Sequence, residues 1–347
     1  MSINPVEIPT VAVRYNTDSN KMEVYIGSTW MEVAVSSPNL DGGARGFAAG
    51  GAGGPSGPGY TATVDFYTIS TAGNAQDFGD LSRAKGNGVA GFASRTRGVA
   101  AGGFSPTAHY NTIDFITMSS TGDGVDFGDL TSNREGPMGL SNATRGIAAT
   151  GWSRGGSGVS QTTIDYVTIA SAGNAQDYGD MIAGSNYGAG AASPTRGILL
   201  GGNNESPLAG MKSRIEFITI PTLGNSQNFG DLTQNHFYNI TAASNSTRAL
   251  AWGGTYPDTS TATNIIEFIT IATRGNGVDF GDTTRAVSAP MATASSTRSV
   301  CYGGNGGGDN IVEFVNIMTQ GNAVDFGDTV SPSKYGGAGF SNGHGGL

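Results

Sequence analysis

The sequence predicts an all-β chain: a six-bladed β-propeller over residues 43–347, preceded by a small β-meander and linker over residues 1–42. Three observations carry that prediction. An Arg opens each of six similar segments, at Arg45, Arg97, Arg145, Arg196, Arg248 and Arg298. An aromatic near each segment's end, at Phe78, Phe127, Tyr178, Phe229, Phe280 and Phe326, recurs at spacings of 49, 51, 51, 51 and 46 residues. A self-similar period near 50 marks a repeat architecture. Each period holds four short β-patterned runs and no helical periodicity. Finally, the Gly-rich pieces, which account largely for the 57 glycines, fall at fixed offsets within the repeat, which assigns them to turns and crowded strands rather than to disorder.

The second segment shows the unit. Gly98-Val99-Ala100-Ala101 after Arg97 is a short apolar run stopped by Gly102 and Gly103. Ile113 to Met118 is dense in β-branched and aromatic residues and reads as a strand. Ser119 to Gly124 is a turn by composition, and Val125-Asp126-Phe127 opens a further strand closed by Gly128 and Asp129. Gly136 to Asn142 supplies one more small-residue run. Four strands in about 50 residues make one antiparallel sheet, and serial sheets make a propeller. An Ig-like array would need about 100 residues per unit. In Val64 to Ile69 the large apolar residues occupy both parities, as in a sheet covered on both faces.

In radial order, the small-residue run is strand 1, the Arg-led run strand 2, the acid-aromatic run strand 3 and the DFGD-type run strand 4. The first segment starts at strand 2, while the chain ends with Tyr335 to Asn342, which resembles Gly88 to Ser94. The expectation is that this C-terminal strand completes blade 1, removing the exposed edge an open array would carry. Converging inner strands explain their Gly, Ala and Ser content, since large side chains would collide at the axis.

Residues 1–42 read differently. Val11 to Tyr15, Met22 to Ile26 and Trp30 to Val35 are strand patterns, separated by the turns Asn16–Asn20 and Gly27–Thr29. Three short strands bury too little to stand alone. They are expected to act as an anchor, with Tyr15, Tyr25 and Trp30 as the gripping residues, and Ser36 to Gly42 as a linker. The same segment is a candidate for homo-oligomer contacts.

The order apolar run, Gly-Gly, acid-aromatic strand, aromatic strand resembles the kelch type of propeller over residues 43–347. It departs in placing Phe or Tyr where kelch repeats usually carry Trp, and in following it with Gly-Asp, at Asp80, Asp129, Asp180, Asp231, Asp282 and Asp328. The dialect TRG…GG…IDFITIA…GNAxDFGD resembles repeats of marine bacteriophage structural proteins, including those of cyanophages. RYNTDSNKMEVYIGSTWMEV resembles a motif of phage tail-fibre and virion proteins. The resemblance implies a virion structural protein, either tail-associated or capsid-displayed. It would be assembled in the host cytoplasm and would adhere to the host surface or to neighbouring virion proteins. The alternative is a glycan-binding lectin or glycan-cleaving enzyme on a phage tail.

Composition restricts partners. The net charge is −9 with few lysines, which argues against nucleic acid and anionic lipid. Cys301 is the single cysteine, so no intrachain disulfide forms. The start MSINPVEIPT lacks the basic and apolar regions of a signal peptide, and no apolar run has the length of a membrane span.

No catalytic set emerges, and the chain is read as a non-enzyme. DFGD recurs six times without the phosphate loop or strand lysine of kinases. Its last Asp is expected to cap a turn. One carboxylate per repeat falls short of the six or more oxygens calcium takes, so no metal or cofactor is expected. His109, His236 and His344 stand apart in sequence, and a glycosidase carboxylate pair cannot be picked out. The repeated Arg is structural, with pairing to Asp77, Asp126, Asp177, Asp279 or Asp325 open to it; Asn228 in the fourth copy means charge pairing is not its whole reason.

Turn variation points to a surface. The 1–2 and 3–4 turns are nearly constant, while the 2–3 loops differ in length and content. Variable loops on a rigid scaffold suit recognition. Tyr60, Phe104, His109, Tyr110, Trp152, Arg154, Tyr256 and Asp258 are the loop residues best suited to hold a partner or receptor. Some of them could equally serve only to cover the loops.

Overall fold

The computed structural model describes residues 12–16, 21–32, 44–53, 59–86, 88–153, 159–204, 213–234, 239–256, 261–305, 310–332 and 334–347. The chain divides into two compact units, Met1–Gly42 and Gly43–Leu347. Every regular element among the described residues is a β-strand.

In the smaller unit, strands Val13–Asn16, Lys21–Ile26 and Thr29–Glu32 form an antiparallel sheet in chain order. Gly27 and Ser28, at φ +57° and +78°, make the two-residue hairpin whose twist matches the flanking strands. Strict alternation then sorts the side chains. On one face Arg14 binds Glu23 at 2.7 Å and lies 4.1 Å over the Trp30 ring, which packs on Tyr25 at 5.2 Å. Hydrogen bonds from Asn16 and Arg14 hold the Glu23 carboxyl below its usual range. The other face presents Val13, Tyr15, Met22, Ile26 and Met31, each between 41% and 59% exposed. The expected trio is therefore divided: Tyr25 and Trp30 share the polar face, and Tyr15 belongs to the apolar one.

The larger unit is propeller-like, with six four-stranded antiparallel sheets among the described residues. From inner to outer strand the first is Ala338–Ser341, Arg45–Ala49, Thr63–Thr68 and Gln76–Asp80. The second is Ala90–Ala93, Arg97–Ala101, Thr112–Thr117 and Val125–Asp129. The third is Met138–Ser141, Arg145–Ala149, Thr163–Thr168 and Gln176–Asp180. The fourth is Ala189–Ala192, Arg196–Leu200, Arg214–Thr219 and Gln227–Asp231. The fifth is Thr241–Ser244, Arg248–Trp252, Thr263–Thr270 and Val278–Val287. The sixth is Met291–Ala294, Arg298–Tyr302, Ile311–Asn316 and Val324–Asp328. The last strand of the chain thus pairs with the first Arg-led strand, Phe340 opposite Phe47.

The DFGD-type segment works through its geometry. In every sheet the register between strands 3 and 4 slips beside the acid of strand 3, as at Ile113/Asp114. The aromatic left unpaired by that bulge turns inward: Phe127 is 2% exposed and meets Phe115 edge-on at 6.0 Å. The glycine after it touches the next sheet. A Cβ on Gly128, at φ +143°, would stand 2.6 Å from the Gly173 carbonyl. Backbone bonds run from Gly173 N to Phe127 O and from Ala175 N to Asp129 O, and the Asn174 side chain accepts from Asp129 N at 3.1 Å. The same joint recurs between all successive sheets, and again between Phe326–Asp328 and Gly73–Ala75. The expectation that the last Asp caps a turn is corrected: its amide is the donor, and the acceptor is the neighbouring turn's Asn or Asp.

The repeated Arg is also corrected. Its partners are carbonyls, not the acids of strand 4. Arg97 donates to Ile169 O at 3.0 Å and lies 4.7 Å over the Phe115 ring. Arg45, Arg145, Arg196, Arg248 and Arg298 likewise reach Met118, Ile220, Ile271, Ile317 and Ile69 of the following sheet. Guanidinium, aromatic and backbone oxygen form one stack, which explains why Arg196 persists where the acid is Asn228.

At the inner edge, six residues joining one sheet to the next adopt left-handed backbone: Gly88, Gly136, Tyr187, Asn239, Ala289 and Gly336, at φ from +52° to +77°. Each donates its amide to the preceding one's carbonyl at 2.8–3.0 Å, and Gly88 donates to Gly336, so the hydrogen bonds form a cycle. Tyr187, Asn239 and Ala289 each accept a strain of about 1–2 kcal/mol that glycine would avoid. The inner strands of all six sheets line a cavity of about 60 Å³. At its other end lies His344, whose Nε2 sits 3.0 Å from Ala93 O and 3.3 Å from Ser141 Oγ, while Gly345 N donates to Ser244 O.

Candidate recognition surface

The variable 2–3 loops are rooted in the hydrogen-bonded cycle. The residues flanking it pair with the starts of the loops: Tyr335 with Ala52, Gly86 with Phe104, Glu135 with Trp152, Asn186 with Asn203, and Ser288 with Asn305. Two loops fold into small hairpins, Phe104–Ser105 on Ala108–His109 and Trp152–Ser153 on Val159–Ser160. Sequence reading left both as irregular, because two-residue strands carry no periodicity.

The chosen aromatics gather across three sheets. Tyr60 meets Phe104 at 5.8 Å, Phe104 meets His109 at 4.9 Å, and His109 meets Trp152 at 5.4 Å. Tyr110 lies under Arg83 at 5.2 Å, and its hydroxyl is 2.8 Å from Ser105 Oγ. Burial, with Tyr335 and Glu135 nearby, raises the Tyr60 phenol above its usual range. These side chains are half-buried, not freely exposed as their loop positions suggest, because each covers its neighbour. Tyr256, also half-buried, is on the loop of the fifth sheet and is no part of this row. Arg154 and Asp258 lie outside the described residues.

Sequence reading missed Glu135 and Tyr187. Glu135 Oε1 accepts from the Tyr187 hydroxyl at 2.5 Å, and Oε2 stands 3.5 Å from His109 Nδ1. His109 is therefore not isolated. It is held between two aromatic rings beside a carboxylate, with a side chain only 9% exposed.

Buried ion pairs underlie the same face. Lys85 binds Asp114 at 2.8 Å, Arg134 binds Asp165 at 2.8 Å, and Lys334 binds Asp65 at 3.0 Å, all with side chains essentially inaccessible. Asp65 also accepts from the Tyr302 hydroxyl. Burial pushes both lysines below their usual range against the pull of their carboxylates. In sequence the signal is the acid of each VDF, IDF or IDY strand, with a cation five residues past Asp80 and Asp129.

A cavity of about 100 Å³ opens beside the cycle, lined by Tyr187, Asn239, Ser288, Asn305 and Tyr335. It adjoins a second of about 80 Å³ over the axis, which shares Tyr187 and Asn239. Cys301 is buried in the fifth-to-sixth sheet core, where burial raises its thiol well above the usual range. No protein-family model matches the chain, and no curated protein matches it significantly.

Proposed function

We propose that residues 43–347 form a closed six-bladed, kelch-like propeller and that the chain is a structural protein of a bacteriophage virion, tail-associated or capsid-displayed. The propeller is presented for adhesion to the host surface or to neighbouring virion proteins, and the N-terminal sheet joins it to the particle. Support for closure comes from the cyclic hydrogen bonds and from the joint of Phe326–Asp328 with Gly73–Ala75.

The observation that carries the anchoring role is the sorting of the N-terminal sheet. Arg14 and Glu23 lie on one face, while the other exposes Val13, Tyr15, Met22, Ile26 and Met31. Exposed side chains of that size make a patch of a few hundred Å², which marks an interaction site on a soluble protein. A sheet this small gains stability only by covering that face. The resemblance of the repeat and of the N-terminal motif to phage structural proteins supplies the virion setting.

The test is particle assembly with a chain lacking residues 1–40. The shortened protein should stay folded and soluble and fail to enter particles. Incorporation at the full-length level would refute the anchoring role. Within full-length particles, Trp152→Ala with Tyr110→Ala should weaken host or partner binding about tenfold or more, as expected for aromatic anchors. Unchanged binding would remove the loop face from the proposal.

A further inference from the structure

We propose that the cavity beside the hydrogen-bonded cycle is a binding site for a single neutral sugar residue. The first argument is backbone conformation. Six equivalent left-handed positions form the cycle, and glycine occupies three of them. Tyr187 and Asn239 hold the same conformation with full side chains, and both residues line the cavity. Strain kept at a concave surface, where glycine would serve the fold better, points to use of the side chain.

The second argument is the chemistry of the lining. The Asn239 side-chain amide and the Tyr335 hydroxyl make no hydrogen bond among the described residues; Asn305 adds a side-chain amide, and Ser288 a hydroxyl that donates to Asn305 O at 3.3 Å and can still accept. Among the described residues the lining holds no Lys, Arg, Asp or Glu. Glu135, which bonds the lining residue Tyr187, also faces His109. A charged ligand would give up its water here with no opposite charge to replace it, whereas a hydroxyl-rich one can both donate to and accept from amides and hydroxyls. Two of the lining residues, Tyr187 and Tyr335, are aromatic, the side-chain type that packs against the C–H side of a pyranose.

The third argument is size. A water-sized group needs about 10–15 Å³ of such space. The two adjoining cavities, about 100 and 80 Å³, therefore take on the order of a dozen such groups, close to one pyranose. The site goes beyond the virion reading and does not depend on it.

The experiment uses the full chain and a panel of glucose, galactose, mannose and N-acetylglucosamine, with glucuronate as the charged control, followed by ligand-observed NMR titration. At least one neutral sugar should bind saturably at millimolar concentration and glucuronate about tenfold more weakly. Asn239→Gly should lose about tenfold or more in affinity while its melting temperature holds or rises, because the strain goes with the side chain. Tyr335→Phe should weaken binding in the same direction. Tighter binding of the same residue at the end of an oligosaccharide identifies a glycan terminus as the source; equal binding identifies the free sugar. No saturable binding by any panel member, glucuronate binding as well as the neutral sugars, or full affinity in Asn239→Gly would each overturn the site. None of these results bears on particle incorporation, which tests the virion reading separately.

Discussion

The Gly88 amide donates to the Gly336 carbonyl at 2.8 Å, joining the first connection between sheets to the last. Five further bonds of the same kind complete the cycle, so each of the six connections both donates to one neighbour and accepts from another. The outer joints repeat this logic at the opposite edge of each sheet, where Gly128 meets Gly173.

Removal of residues 335–347 deletes the inner strand of the first sheet together with Gly336 and the Lys334-adjacent connection. It exposes the edge of Arg45–Ala49 and uncovers Phe47, which stacks on Phe340 at 5.5 Å. Unpaired edges recruit other strands. The truncated chain should aggregate or melt well below the full chain in scanning calorimetry and gel filtration. An unchanged melting temperature would contradict the pairing of Phe340 with Phe47.

The outer joint separates two effects. Asn174→Ala removes one acceptor from the Asp129 amide and should cost about 1 kcal/mol. Gly128→Ala places a methyl against the Gly173 backbone and forces a strained conformation, so it should cost more than about 2 kcal/mol. Urea melts of both variants give the order. Equal costs would mean that the glycine matters only as a turn residue.

The buried pairs predict a strong asymmetry. Lys85→Met leaves Asp114 inside the protein with the Ser82 hydroxyl but no cation, and should cost about 3–5 kcal/mol. Lys85→Met with Asp114→Leu removes both charges and should recover most of that loss. Chemical denaturation of the two variants decides it; a double variant no better than the single would assign the cost to packing.

His344 makes stability depend on acid. Burial among the inner strands lowers its pKa from 6.5 to about 4, opposed by its bond to Ala93 O and assisted by Arg95. Because the folded value lies below the unfolded one, the unfolded chain binds the proton first as pH falls. The contribution is present above pH 6.5 and is lost progressively toward pH 4, by no more than about 3 kcal/mol, less the share that water at its partly exposed edge screens. Melting temperatures measured across that range should fall less in His344→Gln than in the parent chain. Parallel profiles would place the acid sensitivity elsewhere.

The repeat was legible because it is periodic: the Arg, the Gly-Gly stop, the acid-aromatic strand and the aromatic of strand 4 each recur at one offset. The strand order in each sheet follows from that alone. What the sequence did not disclose are contacts made between copies. Arg97 bonds to Ile169 O, and a backbone carbonyl has no sequence signature. Gly128 looks like a turn residue until its distance to Gly173 is known. Tyr60, Phe104, His109 and Trp152 were picked out singly as loop residues, but their assembly into one row depends on the curvature that brings three sheets together. Glu135 and Tyr187 sit in stretches that read as plain connections.

Gly46 stands opposite Ser341, so the chain enters and completes the first sheet at neighbouring points of two adjacent strands. Both points lie on the side of the constant turns, the side from which Arg45 starts its strand. In a chain lacking residues 1–40, a linker, a fluorescent tag or a surface tether joined at either end therefore attaches on that one side. Immobilised by whichever end, that shortened chain presents the row from Tyr60 to Trp152 away from the support, and its orientation in a binding assay is set by topology before any chemistry is chosen.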